Sequence, residues 1–324
     1  MPTTRKPRAG SLQFRPRKRA KRAHARVRSW ATNKEAKPLG FAGIKAGMTH
    51  IMITDNRKTS PTKGHDIVQP VTIIECPPMK IAGIRFYKQS LTRYGETVAA
   101  EVHFKPDKAL IRRTDWKESG EIDKIKPEEY TRATILAHSQ PGMTGTGQKT
   151  PHILELGFGG KVEDAIKFVK EHKEITINDV FQPGQFIDTH SVSKGKGTQG
   201  PVKRMGIGLK SHKSEKSRRT GVLGPEGYAK VQHTAPQMGQ LGYHLRTEYN
   251  KQILAVVPPE EIYIQGGLVR YGNIKNTAVL VKGSIPGTKK RLITLTKATR
   301  PNQKLSEQAM EVAYVSGRSQ QGNT

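Results

Sequence analysis

Residues 40–49 read GFAGIKAGMT and residues 51–54 read IMIT, and this is the first stretch of the chain with enough apolar residues to form packed strands. Runs of this kind, bounded by polar turn residues, are typical of β-strands. A polar loop is predicted next, at residues 55–64. Further strand-like runs occupy residues 71–74, 97–104, 153–158, 184–192, 252–257, 277–282 and 291–296. The chain is therefore predicted to consist mainly of β-strands.

Residues 77–178 differ in character, because acidic residues accumulate there and nearly balance the basic ones. One helix is predicted from apolar residues at helical spacing: Val162, Ala165, Ile166 and Val169. Glu163 and Asp164 would stand in its first turn, where the helix dipole favours acids. This block is predicted to be a small α/β insertion.

The stretch before the first acidic residue, Glu35, is strongly basic and rich in proline. Its bases are Arg5, Lys6, Arg8, Arg15, Arg17, Lys18, Arg19, Lys21, Arg22, Arg26, Arg28 and Lys34. Its larger apolar residues, Leu12, Phe14, Val27 and Trp30, are too few to offset an ordering cost of about 1–2 kcal/mol per residue. We therefore expect this arm to remain disordered until a polyanion organises it.

A second basic segment runs from residue 193 to residue 250, where apolar residues are too sparse to set a helical or strand period. Its bases outnumber its acids, Glu215, Glu226 and Glu248. Abundant glycine would let the backbone follow a phosphate track closely. A long loop of this kind is usually functional or disordered, and we expect its tip, residues 195–235, to be disordered in the free protein.

The overall charge favours a nucleic-acid partner. The chain has 56 Lys and Arg against 27 Asp and Glu, a formal charge of +29 and a pI near 10.2. An anionic membrane is the rival partner, but the sequence contains neither a run of about 18 apolar residues nor a basic amphipathic helix with an aromatic face. The start lacks the apolar region of a secretory signal, so we read it as part of the mature protein.

Motifs of catalysis and cofactor binding are missing or contradicted by their surroundings. Gly195, Gly197 and Gly200 match the dinucleotide fingerprint, but Pro201 follows at once and no apolar helix is expected to open there. Glu128-Glu129 and Glu260-Glu261 each follow a proline, which is typical of first-turn acids in short helices. Cys76 is the only cysteine, so the chain has no disulfide framework and no thiolate metal cluster, and a reducing compartment is expected. We expect no cofactor, no metal and no enzymatic activity.

Several stretches together resemble one family. They are residues 11–20 (SLQFRPRKRA), 43–49 (GIKAGMT), 193–204 (SKGKGTQGPVKR), 242–248 (GYHLRTE) and 283–290 (GSIPGTKK). In order and spacing the chain resembles the large-subunit ribosomal protein three family, archaeal type, over nearly its full length.

The resemblance implies a fold that is mainly β with an α/β insertion: a translation-protein-type β-barrel with a basic N-terminal arm and a long basic internal extension. The expected boundaries are 1–39 for the arm, 40–76 for the first part of the barrel, 77–178 for the inserted lobe, 179–192 for a barrel strand, 193–251 for the extension, 252–300 for the second part of the barrel and 301–324 for a tail.

The resemblance also implies a function: a structural constituent that binds large-subunit ribosomal RNA in the cytoplasm, promotes subunit assembly and supports the architecture near the peptidyl-transferase centre. The expected partners are that RNA and neighbouring large-subunit proteins, with no membrane and no small-molecule substrate. The alternatives are a sequence-nonspecific DNA-packaging protein and, from a third class, an RNA-modifying enzyme or translation GTPase.

Charge and resemblance together predict the RNA-binding residues. They are Arg15, Arg17, Lys18, Arg19, Lys21, Arg22, Arg26, Lys45, Lys194, Lys196, Lys203, Arg204, Lys210, His212, Lys213, Arg218, Arg219, Tyr228, Lys230, His244, Arg246, Lys251, Lys289 and Lys290. Relatives commonly carry a tryptophan just after a Gly-Pro at the tip of the extension. This chain has Glu226 there, so Tyr228 is the nearest aromatic substitute.

Overall fold

The structure is a computed structural model that describes residues 10–57, 60–90, 92, 94–213, 216–221, 223–224, 227, 229–303, 305 and 307–318. Its contacts divide the chain into two compact units. One comprises residues 1–22 and 192–246, and the other comprises residues 23–191 and 247–324. We call them the basic unit and the body. Tyr228 and the bases at positions 5, 6 and 8 lie outside the described residues.

Strands dominate the described chain, as predicted. They are β1 (Gly40–Thr54), β2 (Asp66–Glu75), β3 (Met79–Gln89), β4 (Glu96–His103), β5 (Arg132–His138), β6 (Ile153–Gly157), β7 (Glu174–Ile175), β8 (Phe186–Val192), β9 (Gly195–Gln199), β10 (Gly239–Gly242), β11 (Leu245–Val257), β12 (Ala278–Lys282), β13 (Leu292–Lys297) and β14 (Val312–Val315). The α-helices are α1 (Lys108–Ile111), α2 (Val162–Glu171) and α3 (Pro201–Met205). Short 3₁₀ turns include Pro127–Glu129 and Pro259–Ile262, which confirms the reading of both glutamate pairs as first-turn acids.

A seven-stranded sheet carries the order β13-β8-β11-β12-β2-β1-β14, and β1 also pairs with β13. The 15-residue strand β1 therefore pairs with three other strands. Gly40 is opposite Thr296 on β13, Ile44 is opposite Glu75 on β2, and Ile51 is opposite Val315 on β14. Because β1 also pairs with β13, the strands β13, β8, β11, β12, β2 and β1 form a closed ring of pairings.

A second sheet lies within the body, with the order β4-β3-β5-β6 and with β7 paired to β3. The predicted helix is confirmed as α2, which buries Val162, Ala165 and Val169. Strands β3 and β5 were not predicted. Polar residues interrupt the apolar pattern of β3, but Arg85 is neutralised there by Glu101 at 2.6 Å and Glu155 at 2.8 Å, both from other strands.

One hydrophobic cluster joins residues of the two sheets, from Ile44 and Ile73 to Ile84 and Ile135. Glu75 is fully buried beside it. Its carboxylate accepts hydrogen bonds from the Tyr271 hydroxyl, from the backbone amides of Lys275 at 2.9 Å and Asn276 at 3.0 Å, and from the Asn276 side chain at 2.8 Å. These donors satisfy a charge that burial alone would strongly disfavour.

The described arm has no helix or strand from residue 10 to residue 37. Its residues from 23 onward nevertheless belong to the body and pack within it. Ala25 is buried, and the Trp30 ring lies so close to Gly40 and Gly157 that an added methyl group would approach it to 2.6 and 2.5 Å, respectively. The apolar residues that are too few to form a core of their own contribute instead to the core of the body.

Asp55 anchors the polar loop between β1 and β2, and its side chain is fully buried. Its carboxylate accepts hydrogen bonds from the guanidinium of Arg57 at 2.8 and 2.7 Å and from the hydroxyls of Ser60 at 2.6 Å and Thr62 at 2.7 Å. The Arg57 bonds, followed by the Ser60 bond, hold the pKa of this carboxyl well below its usual range.

Asp55→Asn should lower the melting temperature by several degrees near neutral pH, because the amide presents N–H groups to donors. The folded pKa of Asp55 lies below the unfolded value near 3.8, so its stabilisation is complete above that value and is lost as pH falls below it. Melting curves at several pH values should therefore show the two proteins converging below about pH 4. Asp115→Asn, at a side chain 87% exposed, is the control. A wild-type advantage that grew on acidification would contradict this account.

Candidate nucleic-acid interface

The basic unit has an extreme charge balance. Its two segments carry 20 lysines and arginines and two glutamates, a formal charge of +18, while the body carries 36 bases and 25 acids. The two glutamates, Glu215 and Glu226, lie outside the described residues. Like charges at this density repel one another and attract a polyanion.

Strands β9 and β10 form a short antiparallel ladder at the base of the internal segment. Helix α3 follows Gly200, with Pro201 at its first position, where a missing N–H costs nothing. The sequence was expected to open no apolar helix here, and it did not predict this short helix. The helix has only five residues, and it buries Met205. Between residues 206 and 238 the described chain has neither helix nor strand, as predicted.

The arm runs beside the root of the internal segment. The Ala20 amide donates to the Tyr243 carbonyl at 2.8 Å, and the His244 ring nitrogen Nδ1 lies 3.0 Å from the Lys18 carbonyl oxygen. Arg19 stacks over the Tyr243 ring at 5.1 Å. The two basic segments are thus in contact, and the buried His244 is part of this contact.

Gly242 makes the turn at this root possible. Its φ is +72°, and a β-carbon there would collide with the carbonyl oxygen of Lys194. The same carbonyl accepts the Tyr243 amide at 3.1 Å. Only glycine combines this backbone conformation with such a close approach.

Most predicted side chains of the basic unit face solvent. The exposed ones are Lys18, Arg19, Lys21, Arg22, Lys194, Lys196, Lys203, His212, Lys213, Arg218, Arg219 and Lys230, whereas Lys210 is half-buried. Arg218 and Arg219 also line a groove of about 260 Å³ with Leu223 and Met238. Guanidinium groups beside an apolar surface can bind phosphate and stack on a base, so this groove suits a single-stranded nucleotide.

Four predicted arginines are turned inward. Arg204 donates to the carbonyls of Gln237 and Gln240, both at 3.0 Å. Arg17 donates to the Ser11 carbonyl at 3.1 Å and the Arg204 carbonyl at 3.3 Å. Arg15 donates to the His233 carbonyl, and Arg246 lies 4.7 Å from the centre of the Phe14 ring. Sequence reasoning could not separate these side chains from their exposed neighbours, and it did not identify Phe14 as the partner of Arg246.

The remaining predicted residues belong to the body. Arg26 and Lys290 are exposed. Lys251 pairs with Glu248 at 2.9 Å, and Lys289 donates to the Val269 carbonyl at 2.9 Å. Lys45 is buried, and its ammonium donates to the Ile285 carbonyl at 2.6 Å. The structure gives Lys45 a role in holding residues 285–287, and nothing places its charge at a surface.

No group of three or more His, Cys, Asp or Glu side chains in the described ranges is arranged to hold a metal ion. Among the same residues, none of the helices has the length and apolar character needed to span a bilayer. Cys76 is buried, and burial raises the pKa of its thiol. The described chain thus offers a cationic surface as its candidate site.

Comparison with known proteins gives one consistent family. The family model described as Ribosomal protein L3 matches residues 1–322. The large ribosomal subunit protein uL3 of Archaeoglobus fulgidus is 44% identical, covering 98% of each chain. The uL3 proteins of Methanothermobacter thermautotrophicus and Halobacterium salinarum are 42% and 38% identical; the alignments cover 98% of both chains for the first, and 99% of this chain and 100% of the relative for the second.

Arg204→Gln and Lys203→Gln test the difference between inward and outward bases on α3. Arg204→Gln removes two charge-assisted hydrogen bonds worth about 1.5–3 kcal/mol each, so residues 206–238 should be cleaved at least about tenfold faster by a broad-specificity protease. Lys203→Gln should leave the cleavage rate unchanged. Equal rates for the two variants would show that Arg204 does not hold this segment.

Proposed function

The chain belongs to the ribosomal protein L3 family, and from this premise we propose that it is a structural constituent of the large ribosomal subunit. It is a structural protein and not an enzyme. Its partners are large-subunit ribosomal RNA and neighbouring ribosomal proteins, and it works in the cytoplasm as part of the ribosome.

The single observation that supports RNA binding most directly is the charge of the basic unit, +18 over two segments that contact each other. Arginines can form bidentate contacts with phosphates, and lysines can act as mobile point charges. The irregular backbone of residues 206–238 suits the irregular surface of folded RNA better than a uniform duplex. DNA packaging remains the alternative, but the described helices of the basic unit do not include one long enough to read a groove.

The position of the extension in the subunit rests on the family resemblance. By that resemblance, residues 193–251 thread through ribosomal RNA toward the peptidyl-transferase region, support the local RNA geometry and promote subunit assembly. The fully extended arm could reach roughly 110–120 Å. The exposed bases and the groove beside Arg218 and Arg219 are consistent with such a path.

The finer architecture is also part of this proposal. Residues 40–76, 179–192 and 252–300 would form a β-barrel of the translation-protein type, with residues 77–178 as the inserted lobe and residues 301–324 as a tail. The direct pairing of β1 with β13 supports a closed sheet. The separate sheet formed by β3 to β7, with α2, supports an insertion with its own strands.

Binding of a large-subunit RNA fragment should depend steeply on salt, because each neutralised phosphate contributes about 0.7–0.9 to the slope of log K against log salt. Lys213→Gln and Arg219→Gln, at exposed positions of the extension, should each reduce the slope by about that amount. Titrations by filter binding from low to high salt measure it.

The control is Lys117→Gln, at a side chain 81% exposed in the body, which should leave the slope unchanged. Competition with duplex DNA separates the two candidate functions. A shallow slope for the wild-type chain, or equal competition by duplex DNA, would count against the proposed function.

A further inference from the structure

Arg15, Arg17, Arg204 and Arg246 form a cluster that joins the arm to the extension, and we call it the arginine clasp. Arg17 lies at its centre, with its guanidinium 3.3 Å from the Arg204 carbonyl oxygen and 3.2 Å from the Met205 sulfur. Arg204 continues the network to Gln237 and Gln240. Arg15, on the arm, donates a hydrogen bond to the carbonyl of His233 on the extension. The clasp therefore joins the arm to the extension at residues 204–205, 233–240 and 246.

The contacts that the structure gives the clasp are all to neutral groups: backbone carbonyls, a thioether and an aromatic ring. Among the described residues of the basic unit there is no Asp or Glu to balance its charge. The Nε–H groups of Arg15 and Arg17 are buried and have no hydrogen-bond partner. Charged donors left in this state are costly, because a buried charge needs an opposite charge.

The guanidinium groups also repel one another. The pKa of Arg204 is lowered by burial and by the charges of Arg17 and Arg15, and the pKa of Arg246 is lowered by burial and by Arg17. Both shifts mean that a positive charge is less stable here than in water. Arg17 contributes to both, which agrees with its central position.

We propose that the arginine clasp is a phosphate-binding site, occupied in the working protein by a backbone phosphate of RNA that fastens the arm to the extension. This proposal rests on the proposed RNA-binding function. It specifies the part of the RNA that is bound, a backbone phosphate, and the residues that bind it. All four positions carry arginine, whose planar fork donates two parallel hydrogen bonds to a phosphate. The neighbouring Lys18, Arg19 and Lys203 remain exposed.

The central test compares Arg17→Lys with Arg22→Lys in the full chain. Both variants keep the charge, but only Arg17 belongs to the clasp, whereas Arg22 is an exposed base on the same arm. Affinity for a large-subunit RNA fragment should fall at least about tenfold for Arg17→Lys and less than about threefold for Arg22→Lys, since bidentate contacts are lost only at Arg17. Equal losses would overturn the clasp while leaving RNA binding intact, whereas no RNA binding by the wild type would overturn the proposed function itself.

A double-mutant cycle with Arg246→Lys supplies a second readout. If one phosphate is shared, the double variant should bind RNA clearly better than the product of the two single losses predicts. Multiplicative losses would indicate separate sites and contradict the proposal. Should Arg17→Lys lower the melting temperature, the same comparison is made with Arg246→Lys against Lys230→Arg, an exposed control of the extension.

Competition with inorganic phosphate distinguishes an RNA backbone phosphate from free phosphate as the occupant of the clasp. At matched ionic strength, phosphate should displace the RNA fragment more effectively than chloride from the wild type, and this difference should vanish in Arg17→Lys. Weak phosphate binding on its own, with a dissociation constant above that of the RNA fragment, supports RNA as the occupant. Tighter binding of free phosphate than of RNA would overturn that assignment.

Discussion

Charge repulsion within the basic unit is the constraint on which the rest of the structure depends. The body balances 36 bases with 25 acids and places several of them in direct pairs, such as Arg85 between Glu101 and Glu155. The basic unit has 20 bases and two acids, and four of its arginines turn to carbonyls, a ring and a sulfur atom. A chain divided in this way can satisfy its charges internally in one part and needs an external anion in the other.

This division follows the order of the elements. The extension leaves the seven-stranded sheet after β8 and returns at β11, and these two strands are neighbours in that sheet. A long basic segment can therefore be inserted between them without separating the strands that form the core. The body therefore keeps one hydrophobic core although the chain carries the basic segment between two of its strands.

The sequence predicted those elements whose signals are local. The strand-like run at residues 291–296 predicted β13, and the spacing of Val162, Ala165 and Val169 predicted α2. Strand β3 was missed because Arg85 is compatible with a half-buried strand only when Glu101 and Glu155 arrive from elsewhere. Helix α3 was missed for a similar reason, since its Arg204 is held by carbonyls more than 30 residues further along the chain.

The sequence predicted the chemical character of the candidate site, but it did not predict which of its side chains face solvent. Composition alone indicated a cationic surface and its two segments, but Lys203 and Arg204 are adjacent in sequence and face different surroundings. Lys45 looked like any other base of a family motif, although the Ile285 carbonyl holds its ammonium inside the body. Such differences depend on which backbone carbonyls a side chain meets after folding, and periodicity and charge carry no information about that.

The central claim is that the basic unit reaches its full order only when a polyanion balances its charge. Backbone hydrogen exchange, followed at matched ionic strength with and without a large-subunit RNA fragment, tests this most directly. Protection of residues 10–22 and 195–244 should rise strongly when RNA is added, while strands β1, β2, β12 and β13 remain equally protected in both states. Full protection of the basic unit in the free protein, unchanged by RNA, would contradict the account.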